Sequence, residues 1–172
     1  MNLLLKYLGL CFFVNNPVDL VPPNSFMWKN VMYYLISGMI VEGLISDPAD
    51  GTLEVVLRTI MAFSTVGAIL LHQKKWVYYN QLYTAIFVCE NFIMTLATAT
   101  EGLYHWMIVT GWEVETAEHI SIGIGFFLVF WYIAIISYIF RQLLKFKIGN
   151  SLLMAFSYFV LTYGLPMMFM DI

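Results

Sequence analysis

Ionisable side chains inside long apolar runs are the residues of this chain with the clearest capacity for chemistry. Glu42, Arg58 and Glu90 each lie within such a run, and Asn91 directly follows Glu90. An ionisable group in hydrocarbon costs about 2.5–3.5 kcal/mol by insertion measurements, so each one requires a partner. Arg58 can reach Glu90, turn back to Glu54 one helical turn earlier, or cross to Glu42. We therefore predict an intramembrane polar cluster of Glu42, Arg58, Glu90 and Asn91.

Glu90 admits two interpretations. As a functional group it would be a proton or cation site, because burial favours a neutral acid that can exchange protons. As a structural group it would pair with Arg58, or hydrogen-bond to residues near Asn91, and so fix the register of the helices. We favour the structural interpretation, because a relay requires a second carboxyl along a path.

Polar side chains and glycines predict where helices meet. A run near the middle of the chain has polar residues at helical spacing, which favours packing against other helices over exposure to lipid. These residues are Gln81, Thr84, Asn91, Thr95 and Thr98. Gly38, Gly123 and Gly125 are predicted to be points of close helix packing.

Sets of catalytic or metal-binding residues are sparse. Glu115, Glu118 and His119 are close together in sequence, but they lack the HExxH spacing and are typical of a solvated helix end. Cys11 and Cys89 form no CxxC motif, and each is interpreted as a small packing residue. No GxSxG, P-loop or GxGxxG motif occurs. We predict a protein that is not an enzyme and has no catalytic residues, no cofactor and no metal.

The composition places these residues in a membrane. Of 172 residues, 61% are hydrophobic and only 11% are charged, against about 45–50% and about 25% in soluble domains. The mean hydropathy of +0.79 excludes disordered, disulfide-stapled and nucleic-acid-binding classes. The prediction is an all-α integral membrane protein, a single domain of five transmembrane helices. The spans are 28–45, 53–71, 78–99, 120–140 and 151–170.

Two segments outside the spans have their own predictions. Met1 to Val14 is apolar but interrupted by Lys6, so it is interpreted as a retained interfacial helix and not as a secretory signal. The connection between the third and fourth spans, 100–119, carries Trp106 and Trp112, and is expected either to lie along the outer interface or to form a docking surface for another membrane subunit.

Charge placement predicts the orientation. One side of the predicted topology carries every Lys and Arg residue except Arg58: Lys6, Lys29, Lys74, Lys75, Arg141, Lys145 and Lys147. The other side carries acidic residues only: Asp47, Asp50, Glu54, Glu101, Glu113, Glu115, Glu118 and Asp171. The positive-inside rule then places the N-terminus in the cytoplasm and the C-terminus outside.

Several short motifs resemble a known family. They are Asn16-Pro17-x-Asp19-Leu20, the helix opening Tyr79-Asn80-Gln81-Leu82-Tyr83-Thr84-Ala85, Arg141-Gln142, and Tyr163-Gly164. In these the chain is similar to small bacterial membrane proteins of the Ypt-interacting-protein (Yip) type. The resemblance implies five spans, a cytoplasmic N-terminus and the bacterial cytoplasmic membrane. It does not imply the role in vesicle traffic of the eukaryotic members.

The sequence predicts a non-enzymatic accessory or scaffold subunit of a larger membrane assembly. Its expected partners are the lipid bilayer and other membrane subunits or further copies of itself, and nucleic acid is not among them. Aromatic residues concentrated on the fourth span offer a large contact area for such partners. The alternative is a small proton- or ion-coupled transporter or channel that uses Glu90 and Arg58.

Overall fold

A computed structural model describes residues 3–45 and 47–170, which form helices joined by short turns. The helices are α1 Leu3–Cys11, α2 Asn24–Ile45, α3 Pro48–His72, α4 Tyr79–Val109, α5 Val114–Leu144, α6 Ile148–Phe159 and α7 Leu165–Met170. Single 3₁₀ turns at Pro17–Asp19 and Trp76–Tyr78 precede α2 and α4, and a π-helical turn, Val160–Gly164, joins α6 to α7. Asp171, predicted to lie on the acidic side, is outside the described residues.

Four helical segments are long and apolar enough to cross a membrane: Pro48–His72, Trp76–Val109, Val114–Leu144 and Ile148–Phe169. The all-helical, membrane-type architecture predicted from the sequence is thereby confirmed. Helix α2 has 22 residues and carries Lys29, Asn30 and Glu42, and it is not among these four.

Specific residues set the helix ends. The Asp47 side chain accepts a hydrogen bond of 2.9 Å from the Ala49 N–H, and Pro48 occupies the first helical position, so α3 begins there. Helix α5 ends at Leu144, because the next residue, Lys145, has a left-handed conformation with φ of 58°. The π turn ends at Gly164, two residues before Pro166, and α7 continues beyond this proline, so the chain stays helical there.

Helix α4 is the centre of the bundle. It packs against α1, α2, α3 and α5, and every residue from Gln81 to Asn91 is buried. Of the predicted polar face, Gln81, Thr84 and Asn91 are buried, whereas Thr95 and Thr98 are exposed and donate to backbone carbonyls one turn earlier. The polar face therefore meets other helices only in the first half of α4.

The connection predicted for residues 100–119 is mostly helical. Helix α4 continues to Val109 and α5 begins at Val114, which leaves four residues, Thr110–Glu113, between them. Each helix has 31 residues and is about 46 Å long, more than the ~30 Å hydrocarbon layer. Helical hydrogen bonding therefore continues well past the apolar runs that predicted these spans.

Close helix packing was predicted at three glycines, and the structure shows it at one of them. A Cβ atom on Gly38 would lie 3.0 Å from Cγ1 of Val55, so α2 and α3 do pack closely there. The same atom on Gly123 or Gly125 would meet nothing within 4 Å, so the prediction of close packing at these two positions is wrong. Among the described glycines, an added Cβ atom meets backbone atoms most closely at Gly51, which was not predicted.

The segment before α2 is folded into the bundle. Tyr7, Leu10 and Cys11 at the end of α1 are fully buried. The Trp131 indole donates to the carbonyl of Cys11 at 2.9 Å, and the Tyr138 hydroxyl donates to that of Asn15 at 3.1 Å. Helix α5 therefore fixes both the end of α1 and the turn that follows it.

Candidate functional site

Arg58 on α3 lies between two carboxylates. Its Nη1 donates to Oε1 of Glu42 on α2 at 2.6 Å, and its Nη2 donates to Oε1 of Glu54 one turn earlier on α3. All three side chains are mostly buried, with exposures of 12%, 22% and 13% for Arg58, Glu42 and Glu54. Charged hydrogen bonds are stronger than neutral ones, and the planar guanidinium is suited to hold two acceptors at once.

The α2–α3 hairpin sets the distance between these groups. A Cβ atom on Gly51 would lie 2.6 Å from the carbonyl carbon of Glu42 and 2.8 Å from the nitrogen of Gly43. Only glycine permits two helical backbones to approach so closely. Gly51 thus brings the backbone of Glu42 against the first turns of α3, within reach of Arg58.

An aromatic ring also contacts Arg58. The guanidinium carbon lies 4.9 Å from the ring centre of Tyr163, in the π turn, a geometry typical of a cation–π interaction. The Tyr163 side chain lines the same cavity as Tyr34 on α2. Arg58 Nε is buried without a hydrogen-bond partner among the described residues.

Glu90 is not bonded to Arg58. Its Oε1 accepts hydrogen bonds from the hydroxyls of Tyr132 on α5, at 2.6 Å, and Tyr158 on α6, at 2.9 Å. The carboxyl is 3% exposed, so α4, α5 and α6 enclose it. Asn91 bonds elsewhere, donating to the Asn30 carbonyl at 3.1 Å. Of the predicted cluster, Glu42 and Arg58 are therefore bonded to each other. Glu90 and Asn91 are bonded to other residues instead.

Sequence reasoning missed the two tyrosines that bind Glu90. One signal in the sequence could have indicated them. A buried tyrosine hydroxyl usually has a hydrogen-bond partner, and apolar spans contain few side chains that can serve as one. Tyr132 and Tyr158 both lie in apolar runs, as does the only carboxyl of the third span. Which tyrosine faces α4 depends on helix packing, and a single sequence does not specify it.

A cavity of about 460 Å³ opens beside Arg58, between α2, α3, α4, α5 and the last helical segment. Its polar wall is formed by Tyr34, Glu42, Arg58, Glu101, Tyr132 and Tyr163. The remaining lining is largely aliphatic, with Ile93 and Leu128 among it. Glu90 does not line the cavity, and Tyr132 contacts both.

The two cysteines meet in the other half of the bundle. Sγ of Cys11 lies 3.3 Å from Sγ of Cys89, and both side chains are fully buried. Their separation of 78 residues gives no sequence signal of this contact. Across residues 3–45 and 47–170, no three His, Cys, Asp or Glu side chains are grouped so as to hold a metal ion.

No family model, curated protein or solved structure matches the chain. The helical bundle itself therefore defines the class of the protein: a helical protein with four membrane-capable helices, a buried carboxyl held by two tyrosines, and an arginine held by two carboxylates.

Proposed function

We propose that the chain is a five-span protein of the bacterial cytoplasmic membrane, with α2 as the additional span and α1 entering the bundle from the cytoplasmic interface. The Lys75 ammonium donates to the Leu144 carbonyl at 2.5 Å, so the basic turn before α4 lies beside the basic end of α5. Glu42 and Glu54 are bonded to Arg58 across the α2–α3 hairpin. The segregated charges support a cytoplasmic N-terminus and an outside C-terminus.

Single cysteines report this orientation. In a Cys11→Ala, Cys89→Ala background, Lys147→Cys should be protected from a membrane-impermeant maleimide in intact cells, and Glu115→Cys should react. Both positions are exposed, so accessibility within the protein is matched. Reaction at position 147 before permeabilisation would invert the proposed topology.

The proposed role is that of a non-enzymatic accessory or scaffold subunit. The single observation that carries it is that the intramembrane charges are bonded within this chain: Arg58 by Glu42 and Glu54, and Glu90 by Tyr132 and Tyr158. Such bonding favours a rigid frame over a mobile proton path.

The expected partner surface lies on α5. Phe126, Phe127 and Phe130 are 63%, 62% and 70% exposed and project within about one turn of each other. Large aromatic side chains give much contact area for little conformational entropy. They form a candidate contact surface for another membrane subunit or a second copy of this chain.

A photo-reactive amino acid at position 130 tests the scaffold proposal. Leu153 on α6 is 65% exposed and is the matched control position. A partner subunit on α5 predicts one discrete protein adduct from position 130 in native membranes, identified by mass spectrometry, and lipid adducts alone from position 153. Lipid adducts alone from both positions would contradict a protein partner on this surface.

The alternative is a small transporter or channel that uses Glu90 and Arg58. One observation favours it: the cavity reaches Arg58, and Tyr132, which lines the cavity, bonds directly to Glu90. Proteoliposomes carrying an internal pH dye separate the two functions. The scaffold predicts proton leakage equal to protein-free vesicles, whereas transport predicts leakage that Glu90→Gln abolishes.

The likeness to the Yip family remains part of this proposal for the fold and the orientation. The four membrane-capable helices and the additional 22-residue helix α2 support it, since that family has five spans. The proposal includes no cofactor and no nucleic-acid partner.

A further inference from the structure

The cavity beside Arg58 has the dimensions of a ligand site. Its volume of about 460 Å³ falls within the roughly 300–1,000 Å³ typical of small-molecule pockets. Residues from α2, α3, α4, α5 and the last helical segment line it, and most of them are apolar. Such a lining favours an occupant with an apolar body, which loses little solvation on entry.

One wall of the cavity is aromatic. Tyr34, Tyr132, Phe159 and Tyr163 line it, and the Phe159 and Tyr163 rings stack with centres 5.3 Å apart. Tyr132 meets both rings edge-on, at 6.3 Å and 5.9 Å. Aromatic faces attract cations, and clustered rings are the usual recognition element for organic cations that have no hydrogen-bond donors.

The charges of the site also select a cation. Arg58 is the single basic residue of the lining, and Glu42 and Glu54 already neutralise it. Glu101 lines the cavity, is exposed to solvent, and makes no ion pair with any described residue. With three carboxylates near one guanidinium, the local potential repels anions and attracts cations.

We propose that this cavity binds a free lipophilic organic cation, with its apolar groups among the aliphatic and aromatic side chains and its positive charge attracted by Glu101. A free cation is favoured over an anionic lipid headgroup because the lining provides no uncompensated Lys or Arg. The phenylalanines of the partner surface on α5, Phe126, Phe127 and Phe130, do not line this cavity.

The probes are tetraphenylphosphonium and tetraphenylborate, which have nearly the same shape and opposite charges. The full chain is placed in nanodiscs of zwitterionic phosphatidylcholine, and retention of each radiolabelled ion is measured by equilibrium dialysis against empty nanodiscs. The proposal predicts saturable, protein-dependent retention of tetraphenylphosphonium and none of tetraphenylborate. Equal retention of both ions would overturn the proposal. Retention of tetraphenylphosphonium no greater than in empty nanodiscs would also overturn it, and this is the result expected if a lipid chain fills the cavity.

Two glycines of α5 provide a matched pair of filling variants. A Cβ atom on Gly125 or on Gly123 meets nothing within 4 Å, so neither backbone resists a side chain, but only Gly125 lines the cavity. Gly125→Leu should abolish the retention of tetraphenylphosphonium, and Gly123→Leu should leave it unchanged. Equal effects of the two variants overturn the assignment of the site.

The charge is tested on exposed residues, which tolerate substitution. Glu101→Gln should weaken tetraphenylphosphonium binding by about two- to fivefold, the range expected for a solvent-screened ion pair. Glu118→Gln removes an exposed carboxylate outside the cavity and should leave the affinity unchanged. Identical affinities for wild type and Glu101→Gln would refute the role of Glu101, and the anion arm above would then decide whether the cavity selects charge at all.

Discussion

Replacement of Gly51 by alanine tests how the α2–α3 hairpin positions Arg58. The added methyl would lie 2.6 Å from the carbonyl carbon of Glu42 and 2.8 Å from the nitrogen of Gly43. Carbon atoms pack at about 3.5–4.0 Å, so the helices must separate by about 1 Å locally. Both contacts are backbone atoms, which cannot rotate away as a side-chain end would.

The expected cost follows from this geometry. Forcing an extra methyl into a packed contact typically costs about 1–3 kcal/mol. Alanine in a helix regains about 1 kcal/mol relative to glycine, so the net loss for Gly51→Ala is about 0–2 kcal/mol, and the contacts with backbone atoms place it toward the upper end. In a protein of this size each kcal/mol corresponds to about 2–4 °C in melting temperature.

Gly102→Ala provides the control, because a Cβ atom at this α4 position meets nothing within 4 Å. It should leave the melting temperature unchanged or raise it slightly, while Gly51→Ala lowers it by several degrees. The assay is thermal unfolding in one mild detergent, followed by a thiol-reactive dye that detects exposure of the buried cysteines. Equal melting temperatures for the two variants would refute the close approach of α2 to α3.

Further predictions concern the polar cluster and the cysteines. Arg58→Leu should destabilise the protein by up to about 3–5 kcal/mol, because it leaves buried carboxylates unpaired; adding Glu42→Gln should restore part of the loss and adding Glu90→Gln should restore none. Thermal unfolding of the two double variants measures the recovery of stability. Recovery in Arg58→Leu, Glu90→Gln would contradict the prediction, because it would show that Glu90 also pairs with Arg58. A membrane-permeant oxidant such as molecular iodine should join Cys11 and Cys89 in a disulfide, since their sulfurs need to move only about 1.3 Å to reach bonding distance. Non-reducing mass spectrometry would detect the loss of two hydrogens, and a Cys89→Ser variant that loses the same mass would contradict the pairing.

The helices were predictable because apolar runs of span length are a strong signal. The run 53–71 lies within α3, Pro48–His72, and the run 120–140 lies within α5, Val114–Leu144. The helices are longer than the runs, because hydropathy marks only the part suited to hydrocarbon. Capping by Asp47 starts α3 before its apolar run, and unbroken backbone hydrogen bonding extends the helices beyond these runs.

The partners of the ionisable residues were only partly predictable. Glu54 and Arg58 are four residues apart, so a helix brings them together without any tertiary information. Glu42 was one of three candidates for Arg58, and the hairpin geometry at Gly51 selects it. The tyrosines that bind Glu90 lie 42 and 68 residues later in the chain, on two other helices. Only the three-dimensional packing specifies which hydroxyls face Glu90.

The placement of the segment before α2 constrains the order in which the molecule can assemble. Its carbonyls at Cys11 and Asn15 accept hydrogen bonds from side chains 120 and 123 residues later in the chain. A ribosome that has just made this segment has not yet made Trp131 or Tyr138. These two hydrogen bonds can therefore form only after α5 has been made, even though α4, against which α1 also packs, is made earlier. The part of the protein that is synthesised early thus completes its hydrogen bonding late.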